Sequence, residues 1–194
     1  TLPASAREQA ACIRKHGERL RSLISDLNLT SRLEYSMQPL RLETVYLVEL
    51  ARQAVCEFLD GSLEERYNIE FCADQESESL PILGDEALLK RALGNLLQNS
   101  IVHNPQGCRI AVSVLCGEVG ITVEVTDDSA GVLAEKLKEL TAGSHHLEST
   151  DEKLNLRHGL GVLLVRQIVE AHRGTITMES ALQKGVQNCA DISG

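Results

Sequence analysis

Asn95 and Asn99 stand four residues apart in LLKRALGNLLQNSIVHN, residues 88–104, with Arg91 and His103 continuing the same spacing. Four residues is close to one helical turn, so these side chains stack on one face of a helix. Asparagine competes for backbone hydrogen bonds within a helix. Two aligned copies suggest a held ligand, the plainer alternative being a solvated polar face. A carboxamide oxygen is a neutral, hard donor, suited to Mg²⁺ where phosphates supply the remaining charge. Asp127 follows a β-rich run and precedes Asp128, Ser129, Ala130 and Gly131. A buried carboxylate only accepts hydrogen bonds, which matches an exocyclic amino group such as adenine N6. The glycine lets backbone approach a ligand closely. Gly159-Leu160-Gly161 opens an apolar helical pattern, and free N–H groups at a helix start favour phosphate. Taken singly, Asp127-Asp128 reads by default as a turn, and a Gly-x-Gly is a weak signal. Their joint order is the more specific observation.

The elements that must position these residues follow from periodicity. Leu89, Leu93, Leu96, Leu97 and Ile101 recur at helical spacing beside the polar face, and Asp85 caps that helix. Asn104-Pro105-Gln106-Gly107 ends it. Runs 108–116 and 119–126, joined at Gly117-Glu118, read as a hairpin that delivers Asp127. Upstream, 41–45 reads as a short strand, 46–63 as a helix, and 68–73 and 80–83 as strands. Downstream, 134–140 reads as a short helix and 141–158 as a polar, aperiodic segment of the kind that forms a lid. The helix opened by Gly159 ends at His172-Arg173-Gly174, glycine being the expected stop, and strands 175–180 and 186–192 close the chain.

The N-terminal stretch differs in kind. Ser5 and Glu8 form a capping box, and a helical pattern runs from there to about Ser36. Ile13, Leu20 and Leu27 fall seven apart with Ile24 at the complementary position, a seam for packing lengthwise against other helices. Pro39 breaks the pattern, placing a linker at 35–40.

The chain has 194 residues, 43% of them apolar, with two Phe, three Tyr and no Trp, which suits an aliphatic core in one domain plus an appendage. A net charge of −9 excludes a general nucleic-acid surface but not a single nucleotide held by local donors. Cys12, Cys56, Cys72, Cys108, Cys116 and Cys189 include no C-x-x-C pair and no zinc-ligand spacing. They read as buried, reduced thiols in a cytosolic setting. No apolar run approaches the ~20 residues that span a bilayer, and no signal peptide is visible. A start at Thr1 rather than Met reads as a piece of something longer.

With these residues in view, 41–192 resembles the ATP-binding catalytic domain of sensor histidine kinases, within the wider group shared with DNA gyrase, Hsp90 and MutL. RALGNLLQNSIVHNP is similar to the family's asparagine box, and VTDDSAGV, ending at Val132, to its Asp-x-Gly-x-Gly box. GLGVLLVRQIVEAHRGTITMES is similar to its second glycine box with the following helix and strand. LRSLISDLNLTSRLE resembles the second helix of the dimerisation and phosphotransfer hairpin.

The resemblance implies an α+β fold, a two-layer α/β sandwich whose mixed sheet carries helices on one face, preceded by a long coiled-coil-like helix. It divides the chain into a partial dimerisation and phosphotransfer helix, 1–38, and an ATP-binding catalytic domain, 39–194. It implies Mg²⁺ and ATP as cofactors, with Asn99 as the metal ligand and Asn95 its partner one turn earlier. Asp127 would hold adenine, with Gly131 and Val132 beside it and His103 near the nucleotide. Gly159, Leu160 and Gly161 would lie on the phosphate side, where Arg157 could add a donor. Relatives that hydrolyse ATP with water place a glutamate at the position of Asn95, so its amide points to a kinase.

The implied protein is the cytoplasmic core of a two-component kinase. It would be a homodimer when whole, relaying phosphate to a response-regulator receiver domain, with no nucleic-acid partner and a membrane only through a preceding segment. The phosphoacceptor histidine is implied to lie outside the chain, since His16 is followed by Gly17-Glu18-Arg19 and not by the family's pattern, so this fragment would not autophosphorylate. Departures are Ser129 and Arg157 where glycines are expected, Val102 where a basic residue is frequent, and no recognisable phenylalanine motif after Leu140. They motivate the alternative of a degenerate, non-catalytic module of the same fold. A serine-directed anti-sigma-factor kinase is a third reading, opposed by the long first helix. His145, His146 and His158 read as solvated loop residues, and His172 as compatible with the dipole at a helix end.

Overall fold

Alternation of apolar residues builds the centre of the sheet. Ile110, Val112 and Val114, then Ile121, Val123 and Val125, are buried on one face, and the residues between them are partly or fully exposed. A computed structural model of the protein describes residues 4–60, 63–117, 120–129, 155–181 and 185–192. In chain order the elements are α1 (Ala4–Glu34), β1 (Glu43–Tyr46), α2 (Leu47–Asp60), β2 (Tyr67–Ala73), β3 (Pro81–Gly84), α3 (Glu86–His103), β4 (Cys108–Cys116) and β5 (Ile121–Asp127). After residues 130–154, which lie outside the description, come α4 (Asn155–Ala171), β6 (Thr175–Ala181) and β7 (Gly185–Ile192).

The strands form one five-stranded sheet in the order β2-β4-β5-β7-β6, and β1 pairs with β3 in a separate two-stranded sheet. β2 and β4 are parallel, connected through β3 and α3, and the other neighbours in the large sheet are antiparallel. α2, α3 and α4 cover the buried face with a continuous aliphatic core that includes Leu47, Leu97, Leu164 and Ile168. This is the mixed-sheet, two-layer α+β architecture that the sequence implies. The expected helix at 134–140 and the lid segment to residue 154 fall outside the described residues.

Several local expectations change. α1 already includes Ala4 and Ser5, so the helix begins ahead of the position expected for its cap. The seam residues Ile13, Leu20, Ile24 and Leu27 are 53–73% exposed. The face of α1 that is buried carries Asp26, Leu29, Thr30 and Leu33, where the helix crosses α4. The cysteines are free, but Cys12, Cys56 and Cys72 are exposed and the other three half-buried. Cys72 and Cys189 lie on the outer face of the sheet, whereas Cys108 packs against the edge of the core, a difference that a count of cysteines does not reveal.

Arg91 departs most from its expected place in the polar ladder. Its Nε and Nη2 donate to Asp26 Oδ1 at 3.0 and 2.6 Å, and Nη2 also donates to Ser25 Oγ at 2.9 Å. Asp26 is buried at 9% exposure while Arg91 keeps some solvent contact, so the pair clasps α1 to α3 without the full desolvation cost of a buried ion pair. Asp26→Ala is expected to cost about 1–2 kcal/mol, lowering the thermal midpoint by roughly 3–6 °C. An unchanged midpoint would show that the clasp contributes nothing to stability.

α3 starts as expected: Asp85 accepts from Leu88 N–H at 3.2 Å. Its other carboxylate oxygen accepts from Arg41 N–H at 3.0 Å. Its own N–H donates to Nε2 of His172 at 2.9 Å, whose Nδ1 in turn donates to Ile168 O at 2.7 Å. His172 is therefore a buried neutral bridge between the end of α4 and the cap of α3, not a surface cation facing the helix dipole. α4 ends with Gly174 N–H on Val169 O and Arg173 N–H on Glu170 O, both at 2.9 Å, and Arg173 takes the left-handed conformation at φ 59°. Gly174 serves sterically, since a Cβ there would lie 2.3 Å from Asp191 O.

Candidate functional site

The remaining ladder residues point where Arg91 does not. Asn95 and Asn99 are half-buried between α3 and α4. Asn95 Nδ2 donates to Arg91 O at 3.0 Å, which fixes the amide along the helix and leaves its oxygen toward α4. Gly161 completes the approach. A Cβ at Gly161 would meet Asn99 Oδ1 at 3.2 Å, a tight approach, and Asn95 Oδ1 at 3.6 Å, an ordinary contact, so this stretch of α4 runs close to both carboxamides and a larger residue would press on Asn99.

The expected helix start at Gly159 moves to Asn155, one turn earlier. Gly159-Leu160-Gly161 therefore lies in the second turn of α4, where its N–H groups are no longer the free ones. Glycine inside a helix costs about 1 kcal/mol relative to alanine, which is why the sequence pattern reads as an opening. The close contact with Asn95 and Asn99 accounts for Gly161 instead.

β5 and the turn after it divide the two aspartates. Asp128 Oδ1 accepts from Arg109 N–H at 2.8 Å, and Asp128 N–H donates to Arg109 O at 3.2 Å, so Asp128 closes the β4–β5 ladder at an exposed position. Asp127 is the last residue of β5, is 7% exposed, and accepts from Ser129 N–H at 3.2 Å. A turn explains Asp128; it does not explain a buried carboxylate with one protein hydrogen bond among the described residues. Asp127 also acts on its neighbour. Burial, followed by the charges of Asp127 and Asp128, pushes the Cys108 thiol up to about 11.

The structure thus brings together Asn95, Asn99 and Gly161, and sets Asp127 at the end of the adjacent sheet. His103 ends α3 on the exposed side of its last turn. Arg157 and Gly159 contribute backbone to the first two turns of α4, and Leu160 is partly buried. Gly131 and Val132 lie outside the described residues. Asn99 presents the hard, neutral oxygen that a Mg²⁺–phosphate pair would accept, so the donor chemistry fits that ion.

Comparison with known proteins adds to this geometry. Residues 84–190, more than half of the chain, match the family described as histidine kinase-, DNA gyrase B-, and HSP90-like ATPase. Over 183 residues the chain is 28% identical to the sensor histidine kinase YvrG of Bacillus subtilis (strain 168), covering 94% of this chain and 31% of that protein. The chain spans about a third of the length of the curated relatives it matches. Its fold is similar to full-length ShkA in complex with AMPPNP, with a TM-score of 0.78 at 23% identity over 100% of this chain and 40% of that one. It is also similar to histidine kinase ThkA in complex with the response regulator protein TrrA, with a TM-score of 0.70 at 21% identity over 100% of this chain and 52% of that one.

Proposed function

Because the chain belongs to the histidine kinase-, DNA gyrase B- and HSP90-like ATPase family, we propose that it binds Mg·ATP between α3, the end of β5 and α4, as the kinase core of a sensor histidine kinase. The observation that carries this reading is that the carboxamides of Asn95 and Asn99 both face Gly161 of α4, within 3.2–3.6 Å of where a Cβ there would lie, beside a buried Asp127. In this reading 39–194 is the ATP-binding domain and 1–38 the end of a phosphotransfer hairpin. Asp127 accepts from the adenine amino group, with Gly131, Val132 and His103 around the nucleotide. Arg157 and Gly159-Leu160-Gly161 flank the phosphates.

Asn99 would hold Mg²⁺, with Asn95 beside it; the ion, when bound, neutralises charge on the phosphates. The chain's own task is positioning, which phosphoryl transfer mainly requires. A histidine nitrogen attacks the γ-phosphorus, forming an N–P bond and breaking the bond to the β,γ-bridging oxygen, so that ADP leaves. Asn95 carries no carboxylate that could take a proton from water, which favours transfer over hydrolysis. The acceptor histidine and the receiver domain are parts or partners beyond this chain; the ThkA–TrrA neighbour supports the second. The exposed seam of α1 supports pairing with further helices, as in a homodimer. No helix among the described residues is long and apolar enough to cross a membrane; we place the core in the cytoplasm.

Thermal unfolding with and without Mg·ATP tests the reading. At ~100 times the dissociation constant, binding adds about 2.7 kcal/mol, a midpoint rise of roughly 5–10 °C for a chain of this size. No rise at millimolar Mg·ATP would replace this reading with the non-catalytic module that Ser129 and Arg157 motivate.

A further inference from the structure

β7 carries one buried polar residue, Asn188, that the proposed site has not used. Asn188 lies opposite Val125 of β5 on one side and Met178 of β6 on the other. Directly opposed residues project to the same face of a sheet, so Asn188 shares the helix-covered face with Asp127, whose own partner is Val186. Asn188 and Asp127 are diagonal cross-strand neighbours, a separation of about 7–8 Å between Cα atoms. Asn188 is 4% exposed, and its Oδ1 is buried without a hydrogen-bond partner among the described residues. The surrounding pattern is apolar: Ala190 and Ile192 follow at every second position, opposite Val123 and Ile121. An unpaired buried carbonyl is destabilising in the free protein, and an apolar side chain would fit this face better.

We propose that Asn188 is a second base-recognition residue of the nucleotide site, its carbonyl oxygen forming with the Asp127 carboxylate a pair of acceptors for one exocyclic amino group. This rests on the reading that places the base of ATP against Asp127. An adenine amino group has two N–H donors. Asp127 takes one, and Asn188 Oδ1 takes the other, directly or through one water. A base carrying a carbonyl at the same position would present an oxygen to two acceptors and be rejected, so the pair sets the site's preference among purines.

The test compares binding of Mg·ATP with that of Mg·purine riboside 5′-triphosphate, which has hydrogen in place of the amino group. The wild-type chain, Asn188→Leu and Asn188→Ser are titrated with each. Wild type should prefer ATP. In both variants that preference should narrow by roughly 5–10-fold, while affinity for the purine riboside triphosphate stays within about twofold. Unliganded Asn188→Leu should melt at or above the wild-type temperature; if it does not unfold cooperatively, Asn188→Ser decides. An unchanged preference in the variants, even with both ligands weakened, overturns the proposal and leaves Asn188 a structural residue. A wild type that binds both triphosphates equally also overturns it. A wild type that binds neither overturns the nucleotide site itself, a different failure.

Discussion

Asp127→Asn is expected to abolish the Mg·ATP-induced rise in the thermal midpoint, a loss of roughly 100-fold or more in affinity. The reason lies in how many acceptors the position must supply. One carboxylate oxygen of Asp127 already accepts from Ser129 N–H at 3.2 Å. The second is left for the amino group of the base. Asparagine offers one acceptor and one donor. If its oxygen stays on Ser129, its NH2 faces the adenine amino group; if it turns to the base, its NH2 faces the Ser129 N–H. Either arrangement opposes two donors in a buried setting, where an unmet group costs about 1–3 kcal/mol and a charged hydrogen bond is lost besides.

The same variant has a readout that needs no nucleotide. Burial is the larger cause of the raised Cys108 thiol, and the Asp127 charge is the next. Removing that charge should lower the thiol and speed Cys108 alkylation at fixed pH, without altering the exposed Cys56 and Cys72. Full ATP affinity in Asp127→Asn would show that the base lies elsewhere. An unchanged alkylation rate would show that the Asp127 side chain does not act on the Cys108 thiol.

What the sequence conveyed and what it hid divide along one physical line. Periodic signals were readable: the Leu89–Leu93–Leu96–Leu97 stripe, the Asp85 cap and the alternation of β4 and β5 each depend on neighbours a few residues away, and all appear in the structure. Pairings between distant segments were not. Arg91 has the spacing of the Asn95–Asn99 ladder, yet it turns to Asp26, 65 residues earlier. His172 sits where a helix-end cation belongs, yet it takes a proton bond from Asp85, 87 residues away. Gly161 looked like a helix opening because a glycine's steric use depends on what stands opposite it, here two carboxamides of another helix. Asn188 had a local signal that could have been used: with Ala190 and Ile192 it forms an alternating inward set, which makes its amide the misfit. The coiled-coil seam of α1 rests on a heptad, and a heptad specifies an apolar stripe without saying which partner covers it.

Gly185→Ala is the substitution expected to damage the fold most, and the damage should centre on Asp127. Gly185 opens β7 with φ +81°, a conformation that an L side chain rarely adopts. A Cβ there would be placed 1.6 Å from the carbonyl oxygen of Asp127 and 2.7 Å from its carbonyl carbon. Those atoms are backbone, so no side-chain rotation relieves the overlap. β7 must instead lift away from the end of β5, where Val186 pairs with Asp127. Left-handed strain costs about 1–2 kcal/mol, and the displaced strand pairing adds to it. The sum should be about 4 kcal/mol, lowering the thermal midpoint by roughly 10 °C. Gly17→Ala is the control, because nothing stands within 4 Å of a Cβ at that exposed helical position. It should raise stability by up to about 1 kcal/mol through helix propensity alone. If the Asp127 turn positions the base, Gly185→Ala should also lose its response to Mg·ATP, measured below its own melting range by titration. A Gly185→Ala protein that melts with the wild type would mean that β7 does not run this close to the Asp127 backbone.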